Sequence, residues 1–161
     1  MVKIAIVDDN ELDAARLEQE VLTFCTANNV LAKIDKYNRA INFLEDYNKN
    51  YDVIMLDIDM PLMDGIEAAY KIREISSSVA IIFETNYASL AIKGYGVNAL
   101  GFIVKPVKQI DVNNVMLKLF LKLESEKDDS KISIKVKSGY QTLKLSEIKY
   151  IEVNIHDIYY H

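Results

Sequence analysis

Three aspartates directly follow apolar segments of this chain. Asp8 and Asp9 come after residues 2–7, and Asp57 comes after residues 53–56. Apolar runs of this length, of which the first is interrupted only by Lys3, are typical of strands that are covered on both faces in a parallel sheet. Asp8 or Asp9 could cap the helix that follows, and Asp57 could cap the next turn. If both runs are parallel strands, however, the carboxylates meet at one edge, where open α/β sheets bind their ligands.

A hydroxyl group and an ammonium group follow two later strand patterns. Thr85 comes shortly after the apolar segment 79–83, and Lys105 directly follows residues 100–104. Three carboxylates at one edge would repel one another and raise their pKa values. Mg²⁺ relieves such repulsion because it binds carboxylates, waters and phosphate oxygens. With a lysine and a hydroxyl beside it, this arrangement suits attack by a carboxylate on phosphorus, which gives an aspartyl phosphate.

Five strand patterns alternate with helical patterns along the first three quarters of the chain. The strands are predicted over residues 2–7, 30–37, 51–56, 79–83 and 100–104. The second helix is predicted to bury Ile41, Leu44 and Tyr47, and the fourth is a short helix over residues 88–95. Strict alternation predicts an α/β fold, a doubly wound five-stranded parallel sheet with right-handed crossovers.

Composition narrows the class of protein. The chain has 161 residues, half of them apolar, a net charge of −5 and one cysteine, which suffices for a buried core. Its apolar runs are too short to span a membrane, and charges come too early for a signal peptide. One cysteine excludes an internal disulfide and fits a reducing cytosol, so a cytoplasmic location is expected. The net charge argues against nucleic-acid binding by the chain as a whole.

The pattern changes beyond residue 123. Residues 124–131 are charged and lack periodicity, which predicts a linker. Residues 132–161 alternate apolar and polar side chains and contain a turn signal, so they predict antiparallel strands. About thirty residues are too few to bury a core of their own. We therefore expect the first strands of an incomplete all-β domain there.

Taken in order, these residues resemble the receiver domain of bacterial two-component response regulators. The resemblance rests on Asp8-Asp9, Asp57, Thr85 and Lys105 on successive β-α units. It rests also on the sequences LDIDMPLMDG at 56–65 and ALGFIVKP at 99–106, and it covers about residues 1–125. The resemblance implies a receiver domain over residues 1–123.

The resemblance implies a phosphoacceptor and a metal site. Asp57 would accept the phosphoryl group. Mg²⁺, the implied cofactor, would be held by the carboxylates of Asp8, Asp9 and Asp57 and by the backbone carbonyl of Asp59. The phosphodonor would be a sensor histidine kinase.

It also implies a switch beside that site. Thr85 would donate a hydrogen bond to the phosphoryl group, Lys105 would pair with it, and Phe102 would be the aromatic residue whose rotamer is coupled to Thr85. The bond before Pro106 is expected to be cis, an arrangement normally confined to X-Pro bonds. Glu84 departs from the apolar residue that is usual before the threonine, and the sequence offers no physical reason for it.

Two further segments resemble the LytTR subclass of response regulators. Residues 91–95 (AIKGY) are similar to its receivers, and residues 132–161, with YIEV at 150–153, are similar to the start of its DNA-binding domain. His156 falls where some relatives place a loop histidine at the DNA, although it could equally be an exposed bystander. The implied partners are a second copy of the chain after phosphorylation and DNA through a complete C-terminal domain, with no membrane.

The implied function is a phosphorylation-dependent transcriptional switch, which is not an enzyme in the usual sense. Two alternatives remain open at this point. One is a pseudo-receiver, a protein-binding module with the fold but without phosphorylation. The other is a flavodoxin-like flavin enzyme, which would need a loop rich in Ser, Thr or Gly where this chain has DDNE at 8–11.

Overall fold

The computed structural model describes residues 1–48, 50–86, 96–128, 131–136, 139–144, 151–154 and 157–160. The chain forms two compact units, Met1–Leu119 and Phe120–His161. The helix predicted over residues 88–95 and the predicted DNA contact His156 lie outside the described residues.

A five-stranded parallel sheet forms the centre of the first unit. Its strands are β1 (Val2–Val7), β2 (Ala32–Tyr37), β3 (Val53–Asp57), β4 (Ala80–Thr85) and β5 (Gly101–Val104). They lie side by side in the order β2-β1-β3-β4-β5. The interior strands β3 and β4 bury every side chain, as strands covered on both faces do, whereas the edge strand β2 is partly exposed. The predicted α/β fold with a five-stranded parallel sheet is confirmed.

Four helices are described, and each follows the carboxyl end of a strand of this sheet. They are α1 (Glu11–Ala27), α2 (Ala40–Asp46), α3 (Gly65–Ile75) and α4 (Gln109–Asp128). The side chain of Asn10 accepts hydrogen bonds from the N–H groups of Leu12 and Asp13 before α1. Asp64 accepts one from the N–H of Glu67 before α3. These side chains satisfy N–H groups that have no partner within the helix.

The buried face of α2 differs from the prediction. Ala40 and Phe43 are buried, whereas Ile41 is 37% exposed. The Phe43 ring packs against the rings of Tyr47 and Tyr51, with centroids 5.2 and 6.0 Å away. The prediction of a buried Ile41 was wrong because a helix of seven residues offers two apolar stripes, and contacts with distant rings select between them.

Two strands run further than the sequence pattern predicts. Asp57 is the last residue of β3, and β4 includes both Glu84 and Thr85. Asp57 pairs in register with Glu84 on the neighbouring strand. The carboxyl groups of Asp57 and Glu84 therefore belong to residues of the sheet, where backbone pairing fixes their positions, and not to loops beyond it.

The second unit contains antiparallel strands. β6 (Lys131–Val136) pairs with β7 (Gly139–Lys144), and β8 (Ile151–Asn154) pairs with β9 (Asp157–Tyr160), which is consistent with the start of a β domain. Helix α4 continues to Asp128, so most of the predicted linker 124–131 is helical. Among the helices that the structure describes, none is long and apolar enough to cross a membrane.

Candidate metal and phosphoryl-binding site

Three of the four predicted metal ligands meet at the carboxyl edge of the sheet. Asp8 directly follows β1, Asp57 ends the adjacent strand β3, and Asp9 is next to Asp8. One carboxylate oxygen from each lies within 4.8 Å of the others. Asp8 and Asp57 are each only 2% exposed, while Asp9 is exposed. Such a group of oxygens, open on one side, suits a hard divalent cation such as Mg²⁺.

The Asp57 carboxyl group is buried and pairs with a cation of the protein itself. Its Oδ1 atom lies 3.2 Å from Nζ of Lys105. Burial raises the pKa of Asp57 to about 6; Lys105 opposes this increase and Asp8 adds to it. The group is therefore largely ionised at neutral pH. A buried, ionised carboxylate grouped with the carboxylates of Asp8 and Asp9 fits the hypothesis that a metal ion binds there.

Lys105 places a single ammonium group among three carboxylates. Its Nζ atom lies 3.0 Å from Oδ2 of Asp8, 3.1 Å from Oδ2 of Asp13 and 3.2 Å from Oδ1 of Asp57. The Lys105 side chain is 7% exposed. Burial alone would lower the pKa of Lys105, but the carboxylates of Asp8, Asp57 and Glu84 raise it above its usual value. The ammonium group is thus fully charged at neutral pH.

The backbone at the end of β5 fixes the position of Lys105. Its N–H donates a hydrogen bond of 2.9 Å to the carbonyl of Thr85, the last residue of β4. The peptide bond between Lys105 and Pro106 is cis, as the resemblance to receiver domains implies. The backbone of Lys105 is therefore held at a defined position at the carboxyl edge of the sheet.

Gly65 allows helix α3 to begin directly beside Asp57. A Cβ atom on Gly65 would lie 2.1 Å from the backbone oxygen of Asp57, so no larger residue fits without movement of the backbone. The N–H of Gly65 donates to the carbonyl of Ile58 at 3.0 Å. Within the loop so formed, a hydrogen bond from the backbone of Asp59 lowers the pKa of Asp57. The Asp59 carbonyl as a metal ligand stays a prediction.

The two predicted switch residues lie on adjacent strands. Thr85 is fully buried and pairs in register with Val104 of β5. Phe102 is partly buried, and its ring stacks on Phe83 with a centroid distance of 5.5 Å and an interplanar angle of 22°. Their coupling to phosphorylation stays a prediction.

Two acidic residues near Lys105 did not enter the predicted site. Glu84 is 2% exposed, and burial raises the pKa of its carboxyl group to about 8, so this group is mostly neutral at pH 7. Its Oε1 atom has no hydrogen-bond partner among the described residues. Asp13, in the first turn of α1, pairs with Lys105. The sequence around Asp13 gives no signal of that pairing.

Similar proteins point to one family. Residues 4–117 match the family described as "Response regulator receiver domain". The sensory transduction protein LytR of Staphylococcus epidermidis is 32% identical over 134 residues, which cover 81% of this chain and 50% of LytR. The transcriptional regulatory protein NatR of Bacillus subtilis is 29% identical over 153 residues, which cover 94% of this chain and 64% of NatR. The chain thus spans between half and two thirds of the length of these relatives.

A solved structure supports the same conclusion. The response regulatory domain of MrkE from Klebsiella pneumoniae is similar to this chain, with a TM-score of 0.68 and 25% sequence identity. The similarity covers 77% of this chain and 99% of that domain.

Proposed function

We propose that this chain, which belongs to the family of response regulator receiver domains, is a two-component switch whose phosphoacceptor is Asp57. Its LytR-like relatives support the LytTR subclass. One observation carries the proposal. The buried Asp57 carboxylate lies in one group of oxygens with Asp8 and Asp9, and its Oδ1 atom is 3.2 Å from the Lys105 ammonium group. The three carboxylates carry more negative charge than this one ammonium group offsets, which suits the site to a divalent cation.

The metal would be held by residues of this chain alone. The carboxylates of Asp8, Asp9 and Asp57 and the backbone carbonyl of Asp59 are the proposed ligands, and the first three already lie together. Mg²⁺ bound there supplies positive charge that offsets the negative charge on the transferred phosphoryl oxygens.

The proposed reaction is a phosphoryl transfer to Asp57 from a phosphohistidine of a sensor kinase. A carboxylate oxygen of Asp57 forms a bond to phosphorus while the phosphorus–nitrogen bond breaks, and the histidine nitrogen keeps the electron pair. Asp57 is ionised for this attack at neutral pH because its pKa is about 6. Its aspartyl phosphate is later hydrolysed at the same site, so the protein is a phosphoacceptor and not a conventional enzyme.

Phosphorylation would change the charge at the sheet edge. Asp57 passes from one negative charge to about two, with new acceptor oxygens. The Lys105 ammonium group and the Thr85 hydroxyl group then contact the phosphoryl oxygens, and Phe102 changes its rotamer. Such differential contacts shift an equilibrium between two conformations, and the favoured conformation forms a homodimer.

The proposed output is regulation of transcription in the cytoplasm. Residues 1–123 form the receiver, residues 124–131 join it to the next domain, and residues 132–161 begin a LytTR-type DNA-binding domain in which His156 contacts DNA. The antiparallel pairs β6–β7 and β8–β9 support this assignment. A symmetric dimer would place two such domains on repeated half-sites.

The phosphoacceptor can be tested by intact-protein mass spectrometry after incubation with acetyl phosphate and Mg²⁺. We expect one acid-labile phosphoryl group on the wild type and on Asp59→Asn, which keeps its backbone carbonyl, and none on Asp57→Asn. Phosphorylation of Asp57→Asn would overturn the assignment. An unmodified wild-type protein that also binds no Mg²⁺ would favour the pseudo-receiver.

A further inference from the structure

Asp13 makes an ion pair that the proposed reaction does not yet use. Its Oδ2 atom lies 3.1 Å from Nζ of Lys105, and the Asp13 side chain is 37% exposed, against 7% for Lys105. Asp13 lies in the first turn of α1, whereas Lys105 follows β5. The pair therefore joins the first turn of α1 to the residue that follows β5.

The ordinary role of an acidic residue at this position is already filled by another group. The third residue of a helix often accepts a hydrogen bond from the backbone N–H of the N-cap residue, in a capping box. Here the N-cap is Asn10, and its N–H donates to Oδ1 of Asp8 at 2.8 Å. Because Asp8 takes this donor, the Asp13 carboxylate is not needed for the cap and pairs with Lys105 instead.

Lys105 and a metal ion would compete for the same carboxylates. Asp8 and Asp57 each lie within 3.2 Å of the Lys105 ammonium group, and both also belong to the group of oxygens that suits a divalent cation. A metal ion that draws on their charge weakens their attraction for the lysine and repels it. Asp13 is the one ion-pair partner of Lys105, among the described residues, that lies outside this group.

We propose that Asp13 is a positioning residue that keeps the Lys105 ammonium group beside Asp57 while Asp8 and Asp57 bind Mg²⁺. The inference rests on the proposed function, because it assumes that Mg²⁺ binds at this edge. Asp13 offers Lys105 a carboxylate that the metal does not use, so the two cations can occupy the edge together. Without Asp13, the metal must either displace the lysine or bind beside an ammonium group with less negative charge to offset it.

The experiment measures Mg²⁺ affinity by isothermal titration calorimetry. Asp13→Asn is expected to bind Mg²⁺ about fivefold more weakly than the wild type, the scale of one partly exposed ion pair. Asp13→Glu restores the carboxylate and is expected to recover most of the affinity. The matched control is Glu11→Gln, which removes the same charge from the same helical turn at an exposed residue for which no ion pair is found in the described chain. A change below about twofold is expected for it.

The same substitutions made in the Lys105→Met variant separate the positioning of Lys105 by Asp13 from a simple loss of negative charge. In Lys105→Met, the proposal predicts that Asp13→Asn weakens Mg²⁺ binding no more than Glu11→Gln does. A loss that persists in that background would show a direct field effect and overturn the inference. Equal losses of Mg²⁺ affinity for Asp13→Asn and Glu11→Gln in the otherwise wild-type protein would also overturn the inference. This comparison tests the inference even if Lys105→Met does not fold. Absence of Mg²⁺ binding by the wild type would instead overturn the proposed function and the inference together.

Discussion

The Nζ atom of Lys105 lies 3.2 Å from Oδ1 of Asp57, although strand β4 lies between β3, which ends at Asp57, and β5, which Lys105 follows. The lysine side chain therefore extends across the end of β4 to reach a buried carboxylate. A buried carboxylate is costly without a cation beside it. This ion pair is the reason that Asp57 can be both buried and largely ionised.

Removal of the Lys105 ammonium group should destabilise the protein when no metal is present. Lys105→Met leaves the buried Asp8 and Asp57 carboxylates without their shared cation, and we expect a loss of about 3 kcal/mol in the free energy of unfolding. Urea unfolding in EDTA measures it, and added Mg²⁺ should recover part of the loss. Lys36→Met, which breaks an exposed ion pair with Glu18, should cost less than about 1 kcal/mol. Equal losses for the two variants would contradict this interpretation.

Glu84 should make the protein less stable as the pH rises. Burial raises its pKa from 4.5 to about 8 in the folded state. The folded protein thus holds this proton more tightly than the unfolded chain does. The resulting stabilisation is complete below pH 4.5 and is lost as the pH rises through 8, by at most about 1.4 kcal/mol per pH unit.

The variant Glu84→Gln stays neutral, so its stability relative to the wild type should increase between pH 5 and pH 8. Urea unfolding in EDTA at the two pH values gives the difference in the free energy of unfolding between the variant and the wild type. The titration of groups common to both proteins largely cancels in this difference. The control Glu67→Gln removes a carboxyl group from an exposed side chain. A pH-independent difference for Glu84→Gln would contradict the raised pKa.

Gly65 should not tolerate a side chain. In Gly65→Ala the new methyl group meets the backbone oxygen of Asp57 at 2.1 Å, and we expect a loss of about 2 kcal/mol in the free energy of unfolding. In the control Gly96→Ala, the methyl group meets the hydroxyl of Tyr70 at 2.3 Å. Tyr70 is 50% exposed and can turn away, so the cost should be smaller. Denaturant unfolding distinguishes the two, and equal costs would argue against a rigid contact at Asp57.

Mg²⁺ should stabilise the folded protein through Asp9 as well as through the buried carboxylates. A ligand that binds only the folded state at a hundred times its Kd adds about 2.7 kcal/mol to the free energy of unfolding. Asp9 is exposed, so Asp9→Asn should leave the stability in EDTA nearly unchanged and remove most of the increase with Mg²⁺. Asp59→Asn, which keeps its carbonyl, should retain the increase. Thermal unfolding with and without Mg²⁺ measures both, and an undiminished increase for Asp9→Asn would exclude Asp9 as a ligand.

Local sequence patterns predict the sheet and the residues at its edge well. Asp8 and Asp57 each follow an apolar run, and such runs are typical of strands covered on both faces. The parallel arrangement then requires their carboxyl ends to meet at one edge. For that reason the positions of Asp8, Asp57 and Lys105 at one site could be predicted without coordinates.

Features that depend on contacts between distant segments could not be predicted in the same way. The burial of Glu84 follows from its position between Asp57 of β3 and Ile103 of β5 in the sheet, which the residues around it in sequence do not show. Asp13 has the ordinary pattern of an acidic residue in the first turn of a helix. Its pairing with Lys105 depends on where β5 ends, a property of the whole fold.

The most direct test of the central claim is chemical identification of the phosphorylated residue. Protein treated with acetyl phosphate and Mg²⁺ is reduced with borohydride, which converts an aspartyl phosphate into homoserine, and peptide mass spectrometry then locates the homoserine. We predict homoserine at position 57, and none at positions 8, 9 or 59. Homoserine at one of those three positions in place of 57, or phosphorylation that leaves position 57 unmodified, would contradict the account.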